Sequence, residues 1–197
     1  MSAGQSPAKS TPVNIPNLLT WLRIILIPLV VGVFYLPAEW LSPHEKNQAA
    51  TFMFVLAAIT DWLDGWLARK LNQQSAFGAF LDPVADKLMV AAALVVLVQL
   101  LRVDALIALI IIGREIAISA LREWMAQIGA AKLVAVNALG KIKTIVQMIA
   151  IPLLLFHDNF LGLFNAAALG AWFIYAAALL TLVSMAIYIR AAARVAP

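Results

Sequence analysis

The sequence predicts an all-α polytopic membrane protein with six transmembrane helices and both termini in the cytoplasm. Three observations carry that expectation. Of the 197 residues, 64% are hydrophobic and only 12% are charged, whereas a soluble domain carries about 25% charged residues. Six windows supply the roughly 20 mostly apolar residues that a spanning helix requires: 17–37, 49–70, 82–101, 104–125, 137–157 and 162–190. Lysine and arginine are also distributed unevenly between the segments that join those windows, which sets orientation.

Each window is bounded by a turn signal or by charge. The first ends at Pro37, and the run "SPHEKN" from Ser42 separates it from the second. Arg102–Asp104 divides the third from the fourth, and the "HDN" run from His157 divides the fifth from the sixth. Pro28 and Pro152 fall inside windows as kinks that a helical bundle tolerates. Most of the six tryptophans lie near span ends, as interfacial anchors do. With the N-terminus inside, the cytoplasmic side holds Lys9, Arg23, Arg69, Lys70, Lys87, Arg122, Lys132, Lys141, Lys143, Arg190 and Arg194. The opposite side holds Lys46 and Arg102, and Arg114 lies within a span. Eleven against two orients the chain.

The net charge of +4 then sits where anionic headgroups lie, and no nucleic-acid partner is needed to explain it. There is no cysteine, which excludes disulfide and thiol chemistry. The opening "MSAGQSPAKSTPVNIP" lacks the apolar core of a cleaved leader. Residues 1–13 are expected to be a flexible tail, and 14–197 a single membrane domain.

Against this apolar background, four aspartates stand out. Asp61 and Asp64 are three residues apart and Asp82 and Asp86 four apart, so each pair shares a helix face. The short cytoplasmic connection "KLNQQSAFGAF" makes their helices a hairpin with both pairs at one membrane boundary. Pairing with Arg69, Lys70 and Lys87 accounts for one or two aspartates but not all four. Asp61 is nine residues from Lys70, about 13 Å along a helix. Four converging carboxylates repel one another unless a cation joins them, and hard oxygen donors in that number suit Mg²⁺ or Mn²⁺. Two such ions side by side are the usual apparatus for in-line displacement at phosphorus.

The spacing is also specific. Asp61-x-x-Asp64-Gly65-x-x-Ala68-Arg69, eight residues, then Gly78-x-x-x-Asp82-x-x-x-Asp86 resembles the signature of the CDP-alcohol phosphotransferases at every fixed position. The resemblance implies a six-helix membrane enzyme, a homodimer, that moves a phosphatidyl or similar group from a CDP-linked donor to an alcohol and releases CMP. It implies that Asp61, Asp64, Asp82 and Asp86 hold two divalent ions and that Asp86 is the general base. Gly65, Ala68, Arg69 and Gly78 would line the site of the CDP-linked donor, CDP-diacylglycerol.

The acceptor is read elsewhere. Arg114 and Arg122 are eight residues apart in "GREIAISALRE", and Lys141 and Lys143 open the fifth window in "GKIKT". Two residues on a helix is about 200° of rotation, so the two lysines are not expected to enter one site. Lys143 and Lys132 are read as headgroup anchors. Arg114 near mid-span costs about 2.5–3.5 kcal/mol on insertion scales unless it meets a polar cavity or partner. Cations beside a phosphoryl-transfer centre suit an acceptor that carries its own phosphate. Together with "NIPNLLTWLRI" and "LDPVADK", these runs resemble the branch of the family whose acceptor is sn-glycerol 3-phosphate. That resemblance places Arg114, Arg122 and Lys141 on the acceptor phosphate, with Thr20 and also Asn17 and Arg23 nearby. It covers residues 14 to 150, and beyond 150 the match is only to apolar helix.

Two other readings compete. A sibling enzyme would use inositol phosphate or a second lipid as acceptor. A cation transporter would use the aspartates as a relay, but apart from Glu115 the fourth to sixth windows hold no deep acid to continue one. The membrane would be the bacterial cytoplasmic membrane, with the active site on its cytoplasmic side.

Overall fold

A computed structural model describes residues 15–71, 76–130, 138–160, 162 and 164–193 of the chain. The expected tail, Lys9, Lys132 and Arg194 lie outside the described residues, as do the side chains of Asn17, Asp64, Gly65, Ala68 and Arg69. Six helices make up the fold: α1 (Ile15–Gly32), α2 (Pro43–Leu71), α3 (Ala76–Gln99), α4 (Ala105–Gln127), α5 (Ala138–Phe156) and α6 (Ala166–Ala193). A 3₁₀ turn, Val33–Tyr35, extends α1. Between α5 and α6, β1 (Asn159–Phe160) pairs antiparallel with β2 (Phe164–Asn165).

Two helices start earlier than expected. The "SPHEKN" run is not a separator: α2 begins at Pro43. Glu45 Oε2 accepts from the Ser42 backbone N–H at 2.8 Å, and the Ser42 hydroxyl accepts from the Glu45 N–H at 3.3 Å. That reciprocal pair is a capping box, and proline suits the first helical position because it has no N–H to leave unpaired. α3 likewise begins at Ala76, six residues before the apolar window, and carries Asp82 and Pro83 inside the helix. Polarity ends an apolar window without ending a helix.

The bundle core is one apolar cluster that runs through Leu26, Val30, Phe54, Ala93, Leu94, Leu97, Ile111, Ile151 and Leu154. A smaller cluster joins α4 to α6 through Ile118, Met125, Tyr188 and Ala192. α5 and α6 pack so closely that a Cβ on Gly170 would lie 2.8 Å from Leu154 Cγ, so only glycine fits there without repacking. The outside is apolar as well. Leu18, Phe52, Leu109, Ile116, Ile145, Trp172 and Leu179 are all more than 60% exposed or close to it, as a hydrocarbon-facing surface requires.

Among the described residues, α1, α5 and α6 are long and apolar enough to cross a membrane. α2, α3 and α4 fall short of that measure because they carry the charges: Asp61 and Asp64, then Asp82, Asp86 and Lys87, then Arg114, Glu115, Arg122 and Glu123. Six spanning helices were expected; among the described residues six helices are present, of which three are apolar enough to cross and three carry charges that must be offset.

Candidate active site

One end of the bundle gathers the acids. Thr20 on α1 is buried, and its hydroxyl donates to Asp82 Oδ1 at 2.6 Å. One turn further along α1, the buried Arg23 places Nη1 2.8 Å from Asp61 Oδ1. The spacing of Thr20 and Arg23, three residues on one face of α1, thus serves α3 and α2 in turn. Asp61 lies near enough to Asp82 and to Asp86 for their charges to repel. Arg23, Asp61 and Asp86 share the lining of a void of only about 10 Å³.

These acids fit a divalent cation by the chemistry of the donor set, since all are carboxylates and they repel without one. Among the described residues, no group of three or more acids or histidines already stands in ligating geometry. Asp64, whose side chain lies outside the described residues, belongs to the same face of α2 as Asp61.

Beside the acids lies a cavity of about 590 Å³, lined by Asp86, Lys87, Arg114, Glu115, Ser119, Arg122, Gly140, Lys141 and Thr144 together with apolar residues. Arg114, Arg122 and Lys141, the three cations singled out in the sequence, all reach it. Thr20 does not line it but stays with the carboxylates. Asp86 belongs to both the void and the cavity, so it stands where acids and cations meet. Gly78 is buried early in α3.

Several residues around this cavity were not expected. Lys143 is fully buried, and its Nζ donates to Glu115 Oε1. The headgroup role assigned to it is therefore wrong: the 200° that separates it from Lys141 turns it into the bundle, not outward. Arg23, also counted among the cytoplasmic cations, is equally buried, which reduces the bias from eleven against two to nine against two.

The residues of α6 came from a segment that reads as plain apolar helix. Arg114 Nη2 donates to Ser184 Oγ at 3.1 Å, and Arg122 Nη2 to the Tyr188 hydroxyl at 2.9 Å. Both guanidinium groups lie over the Tyr188 ring, at 5.7 and 5.3 Å from its centroid. Thr181, Ser184 and Tyr188 recur at helical spacing, but only the packing shows that they share one buried face.

A profile of the CDP-alcohol phosphatidyltransferases matches residues 13–183. The chain belongs to that family. It is therefore a transferase, and the family generally depends on divalent metal ions. It is 50% identical over 181 residues, 91% of its length and 94% of theirs, to proteins named CDP-diacylglycerol–glycerol-3-phosphate 3-phosphatidyltransferase from Escherichia coli (strain K12) and Shigella sonnei. The protein of that name from Shigella flexneri shows the same identity and coverage. The matched region runs well into α6 and ends just before Ser184.

Proposed function

We propose that this protein transfers the phosphatidyl group of CDP-diacylglycerol to sn-glycerol 3-phosphate, giving phosphatidylglycerophosphate and CMP. The observation that carries the reading is the position of Asp86. It borders the carboxylate cluster on one side and the cationic cavity on the other. A phosphorylated alcohol held by Arg114, Arg122 and Lys141 would present its hydroxyl to that carboxylate. Half identity over nine-tenths of the chain to relatives named for these substrates supports the same assignment.

In this mechanism Asp86 takes the proton from the acceptor hydroxyl. The oxygen forms a bond to the phosphorus that bears the diacylglycerol, and the diphosphate bond to CMP breaks. Asp61, Asp64, Asp82 and Asp86 would hold two divalent ions, Mg²⁺ or Mn²⁺, which neutralise charge on the diphosphate. Gly65, Ala68, Arg69 and Gly78 hold the CDP end of the donor. Thr20 orients Asp82, and Arg23 balances Asp61 from within the bundle. All six helices cross the bacterial cytoplasmic membrane with both termini and the site on the cytoplasmic side, in a homodimer bathed by membrane lipid.

A purified sample given CDP-diacylglycerol and a panel of acceptors tests the reading. CMP should be released with glycerol 3-phosphate and much more slowly with inositol phosphate or glycerol. Release with every acceptor but glycerol 3-phosphate would transfer the chain to a sibling activity, and no release at all would remove it from the transferases.

A further inference from the structure

Glu115 is the one feature of the cationic cavity that gripping a phosphate leaves unexplained. A second carboxylate in a cavity built for a dianion weakens the grip, and even a half-buried one, 24% exposed, costs free energy unless it is partnered. One oxygen has partners: Oε1 accepts from Lys143 and lies 3.5 Å from Arg114 Nη1. Among the described residues nothing donates to the other oxygen, Oε2, although the side chain lines the cavity. Neither of the two lining hydroxyls gives it a donor. The Ser119 hydroxyl donates to the Glu115 carbonyl at 2.7 Å, and the Thr144 hydroxyl to the Gly140 carbonyl at 3.0 Å.

Lys143 reaches Glu115 from the buried face of α5 and fixes the carboxylate from behind. Glu115 is thus a preorganised acceptor in the cavity lining, with Oε2 uncommitted among the described residues, near enough to Asp86 for the two charges to interact. Glycerol 3-phosphate has three polar groups to place. Its phosphate matches the cations and its primary hydroxyl matches Asp86. The secondary hydroxyl lies between them and needs an acceptor.

We propose, resting on the reading of the acceptor above, that Glu115 is a specificity-determining residue that accepts the hydrogen bond of the acceptor's secondary hydroxyl, with Lys143 as its positioning residue. A buried group built to pair with a substrate hydroxyl discriminates strongly against an analogue that lacks it, because the group is then left unpaired. The preference for a vicinal hydroxyl beside the reacting one would come from this pair and not from the phosphate grip.

The test compares kcat/KM for glycerol 3-phosphate and for 3-hydroxypropyl phosphate, which keeps the phosphate and a primary hydroxyl but lacks the secondary one. The full-length enzyme should prefer glycerol 3-phosphate by tenfold or more. Glu115→Ala combined with Lys143→Met, so that no charge is stranded, should bring that ratio to within about threefold of unity, with the KM for CDP-diacylglycerol unchanged. A wild-type enzyme that uses both acceptors equally overturns the proposal, as do folded variants that keep the full preference. Wild-type enzyme that releases no CMP with glycerol 3-phosphate instead overturns the functional reading itself, so the two failures are separate. Should the double variant not fold, Glu115→Asp keeps the charge and the Lys143 pairing but withdraws the carboxylate by one methylene. Its preference should fall severalfold, and an unchanged ratio would equally overturn the assignment.

Discussion

The two ends of the bundle use charge in opposite ways. At the end away from the cavity, Arg102 donates to the carbonyls of Leu154 and Leu155 at 3.0 and 2.8 Å and to Asn47 Oδ1 at 2.8 Å. Those carbonyls close α5, where a helix leaves acceptors unsatisfied. His44 Nδ1 sits 2.6 Å from Asp158 Oδ2, and Nε2 sits 2.8 Å from the Gln48 amide. Lys46 donates to the Leu36 carbonyl. Every one of these groups is consumed by a neighbour. At the other end, Arg114, Arg122, Lys141, Lys87, Asp86 and Glu115 present their charges to a cavity of about 590 Å³. Charge that closes on the protein holds it together, and charge that opens on a cavity is available to a substrate.

Removal of the metal should have the largest effect. Activity should vanish with EDTA and return with Mg²⁺ or Mn²⁺, measured as CMP release, because the acids at the cavity end repel without a cation. Full activity in a metal-stripped sample would mean that the cluster serves structure, like the far end. Next in size is Asp86→Asn, which keeps the shape but cannot take a proton. General base catalysis contributes about 10²–10⁴-fold, so turnover should fall by at least a hundredfold while thermal stability stays near wild type. If more than a tenth of the turnover survived, the base would have to be another carboxylate.

The sequence made the cavity end legible to the extent that it clashed with its surroundings. Aspartates in apolar windows, and Arg114 near mid-span, are expensive enough that only function or a partner explains them, and all of those with described side chains converge. What escaped was whatever looks ordinary in a membrane helix. Ser184 and Tyr188 are common in such segments, and only the packing of α6 against α4 shows that they support Arg114 and Arg122. Lys143 escaped for another reason. A cation near a span end reads as a headgroup anchor, and its direction depends on helix rotation, which apolar windows do not fix. The helix starts at Pro43 and Ala76 were hidden similarly, because hydropathy measures contact with lipid and not the reach of the helical hydrogen bonds.

A smaller effect sharpens the comparison at the cavity end. A hydrogen bond to a charged group contributes about 1.5–3 kcal/mol, so Arg122→Ala should raise the KM for glycerol 3-phosphate by about tenfold or more. The KM for CDP-diacylglycerol should stay nearly unchanged, and Gly78→Leu should do the reverse. Tyr188→Phe removes only the hydroxyl that holds Arg122 and should produce a milder rise of the same kind. If Arg122→Ala and Lys141→Ala both kept normal acceptor kinetics in a folded enzyme, the acceptor would be an uncharged alcohol.

The smallest catalytic effect is expected at Arg102, where the comparison makes its plainest claim. This residue follows Leu101, two residues past α3, which has a positive φ of 57°, a conformation that commonly reverses the chain after a helix. The reversal aims the guanidinium across the bundle at the last turn of α5, where one planar group satisfies three acceptors from two helices. Arg102→Met keeps the apolar stem but leaves two carbonyls and the Asn47 amide oxygen without their donor. Arg102→Lys supplies a single point charge that cannot match the fork. Both variants should lose several degrees of thermal stability in detergent, the Met variant more. At a temperature where they remain folded, both should show a wild-type KM for each substrate. The contrast with Arg122→Ala is the decisive reading, since that change should cost acceptor affinity with little loss of stability. Were Arg102→Met to raise the acceptor KM as far as Arg122→Ala does, the α5 end held by Arg102 would be setting the position of Lys141 at the other, and the two ends would be one coupled system rather than a brace and a site.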